Sequence, residues 1–449
     1  MTIVKKPNNR ALPFDQPRLE NFIDGIFVDF GDLDKDGFKK RIIAKITRKE
    51  EIEASQITQY MILEALDNVS IEEPDWTYIA ARIKLKQLYK EVSYNRSYDA
   101  KDKYGSFFGL IKTMCEKGIY TPELLEKYSK EEIDELGNHI DPSKDLLFNY
   151  IGLFTLADRY LKRDHDWNLY ELPQERFMII AMHLMINEDR SKRMDLVKEA
   201  YWALSNLYMT VATPTLANAG TTNSQFSSCF IDTVDDSLRG IYDSNTDIAT
   251  LSKLGGGIGV YVSKIRSLGS DIRGYKGVSS GVVPWIRQLN NTAVSVDQLG
   301  TRTGAIAVYL DVWHKDIFDF LDLRLNNGDE RRRAHDIFTG ICIPDLFMEQ
   351  VEKRGEWYLF DPHEIRQTFG WSLEDYYDEE PGKGSFREKY MQCVNHPNLS
   401  KVRVEAIDIV KRYLKSRLET GTPYLFFRDT VNRANPNKHA GMIYCSNLC

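Results

Sequence analysis

A chain of 449 residues is longer than one ordinary domain and predicts two or three. Its 42% apolar and 28% charged residues are those of a soluble globular protein. A net charge of −7 argues against a protein that coats nucleic acid, yet leaves local phosphate sites open.

In chain order, a short strand is expected over residues 2–5. Asp15 can cap a helix whose first turn holds Pro17, since the missing N–H is not needed there. Leu19, Phe22, Ile23 and Ile26 then fall on one face at helical spacing. A second helix is predicted from Ser55, with Ile57, Tyr60 and Met61 facing inward. A third follows Pro74, with Tyr78, Ala81, Leu85 and Leu88 as its apolar stripe. These elements predict a compact unit over residues 1–95. Residues 96–210 keep a helical pattern, clearest over 171–207, and carry no evident chemistry. From residue 211 short β-rich runs at 259–262, 305–312, 338–343 and 424–427 alternate with amphipathic stretches such as 405–418. That alternation predicts an α/β domain with parallel strands over 211–449. Residues 423–429 read as a strand, a turn-rich stretch follows at Asn435-Pro436-Asn437, and the domain reaches residue 449 after about four strands, as if unfinished.

Residues 1–17 contain no apolar run long enough for a secretory signal, and no stretch approaches the roughly 20 apolar residues that span a bilayer. A cytoplasmic chain with no membrane partner is the expectation. Cys115, Cys229, Cys342, Cys393, Cys445 and Cys449 are widely scattered, which excludes a disulfide scaffold and makes a small buried hydrophobe the default reading of each. No His-Glu-x-x-His, paired Cys-x-x-Cys or EF-hand spacing occurs, so no protein metal site is indicated.

Several segments carry polar chemistry. In Gln225-Phe226-Ser227-Ser228-Cys229 two small hydroxyl residues precede a cysteine at the expected end of a strand, where a polar ligand can come close. Leu254-Gly255-Gly256-Gly257-Ile258-Gly259 is a glycine-rich loop that runs into a strand, the reverse of the Rossmann order, and no P-loop lysine follows. A phosphate cradle and a structural turn both remain open there. The polar loop 297–304 holds Gln298, Arg302 and two threonines, and Arg266 and Arg273 flank Gly269 in another; each suits a base or phosphate, or a solvated loop. Arg331-Arg332-Arg333 reads as a solvated face.

Taken together in order, Thr213-Pro214, Ser228-Cys229, Asp236-Ser237-Leu238, Gly257-Ile258-Gly259, Arg302 and Ser446-Asn447-Leu448-Cys449 resemble the ribonucleotide reductase large-subunit family. The wording of residues 251–259 is most similar to bacterial class I enzymes. The resemblance implies the amino-terminal half of a ten-stranded α/β barrel, preceded by an ATP-cone-like domain and a helical layer. It implies a thiyl radical at Cys449, a redox dithiol that includes Cys229, and a ribose contact at Asn447. Substrate-binding positions carry over to Thr213, Ser228, Gly257 and Asn447. Effector-binding positions carry over to Asp236, Ser237, Leu238, Arg266 and Arg273, with Gln298 and Arg302 coupling the two sites. Lys6 and Arg18 stand where an ATP-cone places its basic nucleotide contacts. Lys5-Lys6-Pro7-Asn8-Asn9 departs from the cone's usual Lys-Arg-Asp-Gly turn, and Ala54 replaces a common threonine.

The same resemblance implies ATP and dNTP effectors with Mg2+, no tightly bound cofactor in this chain, and a radical supplied by a metal-containing small subunit. It implies a dimer of catalytic subunits, and thioredoxin or glutaredoxin as reductant. The family's second redox cysteine, its radical-relaying tyrosines and a later base are not in the sequence. A second polypeptide carrying the carboxy-terminal half is therefore the expected partner. A B12-dependent class II reductase and a non-catalytic nucleotide-binding regulator are the alternative readings.

Overall fold

The computed structural model describes residues 2–5, 11–223, 225–296 and 305–447. The chain divides into two compact units, residues 1–226 and 227–449.

In the first unit, β1 (Ile3–Lys5) pairs antiparallel with β2 (Ala11–Pro13) and parallel with β3 (Glu51–Glu53). Asp15 caps the helix Gln16–Ile26 by accepting from the Arg18 N–H at 3.0 Å, as its sequence position predicts. Ala54–Asp67 and Trp76–Asn95 are the helices expected from Ser55 and after Pro74. A further helix, Lys35–Thr47, was not expected; it buries Phe38, Ile42 and Ile46. Trp76–Asn95 serves two cores. Trp76, Ile79, Ala80 and Ile83 pack with the amino-terminal elements, while Leu85, Leu88, Tyr89 and Val92 join the helical layer that follows.

The second unit is built on five parallel strands: β4 (Cys229–Thr233), β5 (Gly257–Tyr261), β6 (Ile306–Asp311), β7 (Phe338–Ile343) and, after an insertion, β10 (Tyr424–Phe427). They lie side by side in chain order, with helices in the crossovers, as parallel pairing demands. The insertion carries β8 (Glu356–Leu359) and β9 (Val402–Glu405), a short antiparallel pair that the sequence did not suggest. The segment expected as a strand over 423–429 stops at Phe427 and turns into the helix Arg428–Ala434.

Strand alternation gives this sheet two different faces. Ile258, Val260, Ile306, Val308, Leu310, Ile341 and Ile343 point to one side, where they pack under the crossover helices in the main core. The other side presents Tyr261, Ala307, Tyr309, Cys342 and Phe426, and is covered by Cys445, Ile443 and Tyr444 from the end of the chain. No helix among the described residues is long and apolar enough to cross a membrane.

Candidate active site and effector cavity

The sheet face covered by residues 443–445 carries Cys229, and Asn447 reaches the same end of the sheet. Cys229 opens β4 rather than ending a strand, and stands opposite Gly257 at the start of β5. The Gly257 N–H donates to the Ser228 carbonyl at 2.7 Å, and the Ser228 hydroxyl lies 3.1 Å from the Cys229 sulfur. The Asn447 amide donates to the Gly257 carbonyl at 3.2 Å. Ser228, Cys229, Gly257 and Asn447 are thus assembled at the same end of β4 and β5. The residue after Ile258 must be glycine, because a Cβ at Gly259 would lie 1.9 Å from the Ser446 carbonyl oxygen.

Residues that the sequence did not single out hold the segment in place. Asn432 is buried, and its side chain pairs with both main-chain groups of Ile443: it accepts from the N–H at 2.8 Å and donates to the carbonyl at 3.0 Å. Asn435 donates to the Gly441 carbonyl at 3.1 Å. The Tyr444 hydroxyl donates to Asp375 at 2.9 Å, and its ring packs on Tyr261 with centroids 5.2 Å apart. Only the three-dimensional fold brings these positions together, so nothing in their local sequence marks them.

Beneath the segment lies a buried charged cluster. Arg428 donates to Asp311 at 3.0 Å and to the Tyr261 hydroxyl at 2.7 Å, and Tyr261 donates in turn to Asp311. Arg428 and Asp311 are both fully buried. Burial is the largest single influence on Arg428 and disfavours its charge, but Asp311, Tyr261 and Cys342 together outweigh it and keep the guanidinium protonated. Glu374, paired with Arg366, is pushed up to about 7 by burial, which that arginine offsets only in part.

The expected effector residues converge elsewhere in the same unit. Asp236, Ser237, Leu238, Arg266 and Arg273 all line one cavity of about 1400 Å³. Ser237 caps the helix Leu238–Lys253 by accepting from the Gly240 N–H at 3.0 Å, so a helix amino terminus opens at the cavity wall. Asp236 accepts from the Arg266 N–H at 3.0 Å and from its guanidinium at 2.9 Å. Lys276, Trp285, Lys315 and His363 also line the cavity, and sequence reading missed them because they come from four separate segments. Cations, an aromatic ring and a helix start together suit a phosphorylated nucleotide.

Thr213 belongs to the first unit, where it opens the helix Thr213–Asn218 and its hydroxyl lies 3.2 Å from that of Tyr160. Arg18 is exposed on the first helix. Lys6, Gln298, Arg302 and Cys449 lie outside the described residues. The run Arg331-Arg332-Arg333 is on the surface, with Arg332 paired to Asp319 and Arg333 donating to main-chain carbonyls. Among the described residues no group of three or more His, Cys, Asp or Glu is arranged to hold a metal ion.

Comparison with known proteins shows the family. Residues 227–449 match the ribonucleotide reductase barrel domain, and residues 146–224 match the ribonucleotide reductase all-alpha domain. The ribonucleoside-diphosphate reductase subunit alpha of Treponema pallidum is 45% identical over 404 residues, covering 90% of this chain and 47% of that protein. The protein of the same name from Helicobacter pylori is 39% identical over 449 residues, all of this chain and 54% of its own length. The ribonucleoside-diphosphate reductase large subunit of Plasmodium falciparum is 38% identical over 84% of the chain and 44% of its own length. The chain thus spans about half the length of the relatives it matches. With its parallel α/β sheet and its preceding helical region, the chain belongs to the ribonucleotide reductase large-subunit family.

Proposed function

We propose that the chain supplies the first part of the active site of a class I ribonucleoside-diphosphate reductase, and works in the cytoplasm with a polypeptide that completes the barrel. The observation that carries this reading is the Asn447 contact with Gly257, which brings the terminal segment to the end of the sheet where Cys229 stands. In this reading Cys449 carries a thiyl radical that removes the 3′-hydrogen of the ribose. The 2′-hydroxyl leaves as water, with Asn447 hydrogen-bonding the ribose and assisting the proton transfer. A dithiol of Cys229 and a cysteine from the completing polypeptide supplies two electrons and is oxidised to a disulfide, while the hydrogen returns to C3′. Thioredoxin or glutaredoxin then reduces the disulfide. Ser228, Gly257 and Thr213 bind the substrate.

The sheet supports a need for further strands. Among the described residues no strand pairs with the outer edge of β4 or of β10, and Ile231, Leu425 and Phe427 on these strands are exposed. Open edges of this kind require cover. A metal-containing small subunit supplies the radical, and two catalytic subunits dimerise. The cavity takes ATP or a dNTP with Mg2+, and Gln298 and Arg302 carry its signal to the substrate. Residues 1–95 form an ATP-cone-like domain with Lys6 and Arg18 at its nucleotide site, residues 96–210 the helical domain, and residues 211–449 the barrel part.

Co-expression with the carboxy-terminal half of a related alpha subunit, followed by assay of CDP reduction with small subunit and thioredoxin, tests the proposal. Turnover is expected, and is expected to disappear in Cys449→Ser and Cys229→Ser. A folded, assembled pair without turnover, or turnover untouched by Cys449→Ser, would overturn it.

A further inference from the structure

The cavity and the terminal segment occupy different parts of the second unit, yet Arg366 reaches the surroundings of both. From the helix Pro362–Phe369, Arg366 places one nitrogen 3.8 Å from Asp236 on the cavity wall and pairs another with the buried Glu374. The same guanidinium donates to the Lys264 carbonyl at 2.5 Å. Two short links then lead to Tyr444. Asp375, next to Glu374, accepts its hydroxyl at 2.9 Å, and the Lys264 ammonium lies 5.1 Å from the centre of its ring. Tyr444 stands three residues before Asn447 and covers Tyr261.

We propose that Arg366 is a positioning residue that ties occupancy of the cavity to the placement of residues 443–447 over β5. The inference rests on the reading of the cavity as a nucleoside triphosphate site, and adds a route separate from residues 297–304. Asp236 is shared among Arg266 at 2.9 Å, His363 at 3.5 Å and Arg366 at 3.8 Å. A triphosphate that engages Arg266 weakens the nearest of these pairs, and Asp236 then draws more strongly on Arg366. The guanidinium is a rigid planar fork, so displacement at one nitrogen is felt at the others. Glu374 is buried in direct contact with Arg366, so it follows the guanidinium, and Asp375 moves with it. The Tyr444 hydroxyl and ring register both changes.

Hydrogen exchange of the whole chain with saturating dTTP and Mg2+ tests this, alongside calorimetric binding of dTTP, dATP, dGTP and ATP. In the wild type, dTTP is expected to slow exchange over residues 443–446 by about fivefold or more, the lower end of typical coupling between two sites. Arg366→Gln is expected to bind dTTP with little change, because Arg366 does not line the cavity, and to lose the effect on the segment. Tyr444→Phe removes only a hydroxyl remote from the cavity and is expected to reduce the effect. It keeps the test decisive if Arg366→Gln unfolds. Binding of dTTP without any change in the segment, or an unchanged response in either folded variant, overturns the role of Arg366 alone. Failure to bind any of the four nucleotides overturns the cavity reading and the coupling with it.

Discussion

The Ser446 carbonyl crosses β5 directly over Gly259, so close that a methyl group there would lie 1.9 Å from the oxygen. Backbone on both sides leaves little room to yield, since Gly259 is part of a five-stranded sheet and Ile443 is pinned by Asn432. Gly259→Ala is expected to lift residues 443–447, break the Asn447 contact with Gly257, and cost about 1–3 kcal/mol through overpacking. Urea unfolding and hydrogen exchange measure the two effects. A fully protected segment in the variant would show that the crossing is looser than described.

The Arg428–Asp311 pair should be far more sensitive to the loss of one partner than of both. Arg428→Met leaves a fully buried carboxylate without its cation and is expected to cost about 3–5 kcal/mol. The double variant Arg428→Met/Asp311→Leu is expected to recover much of that loss, because neither charge is then left buried alone. Equal losses in the two proteins, read by urea denaturation, would argue against this account.

Three buried carboxyls give the chain an uncommon pH response. Burial raises Asp145 to about 6, Asp429 to about 6 and Glu374 to about 7. Each holds its proton more tightly folded than unfolded. Its stabilising contribution is complete below pH of about 4 and is lost as pH rises through about 6 to 7. For Asp145, which accepts from Tyr89, Tyr104 and Gln174, the shift corresponds to roughly 2–3 kcal/mol. Asp145→Asn should therefore flatten the pH dependence of unfolding between about pH 7.5 and 4, and an unchanged slope would exclude the assignment.

Among the described cysteines, Cys229 should react first with iodoacetamide. It is exposed, whereas burial raises the thiols of Cys342 and Cys445 and pushes Cys393 up to about 12 and Cys115 to about 11. The thiolate is the reactive form, so these four are expected to lag. Peptide mapping of the labelled chain gives the order, and Cys229→Ser should remove the fastest site.

How much of this was legible in the sequence follows from how local each feature is. β7 and β10 were placed at Phe338–Ile343 and Tyr424–Phe427 because short β-rich runs alternating with amphipathic stretches mark the parallel strands of an α/β domain. The helix Lys35–Thr47 was missed because Phe38, Ile42 and Ile46 alone carry its buried face, amid Lys39, Lys40, Arg41 and Lys45 and after Gly37. Cys229 was expected at the end of a strand and begins one, since the hydroxyl residues before it look alike from either side. The five expected effector residues fall on one cavity wall, but His363 is more than 120 positions from Asp236, and no local pattern joins such distant groups. Asn432 and Tyr444 act through contacts that exist only once the chain has folded back over its sheet.

The helix Trp76–Asn95 is a party wall. Trp76, Ile79, Ala80 and Ile83 furnish one room, Leu85, Leu88, Tyr89 and Val92 the other. A cut before residue 76 strips the amino-terminal elements of their largest aromatic side chain, and a cut after residue 95 takes four inward-facing residues from the helical layer. Neither part can be lifted out cleanly, so heat and denaturant should melt them as a single cooperative block.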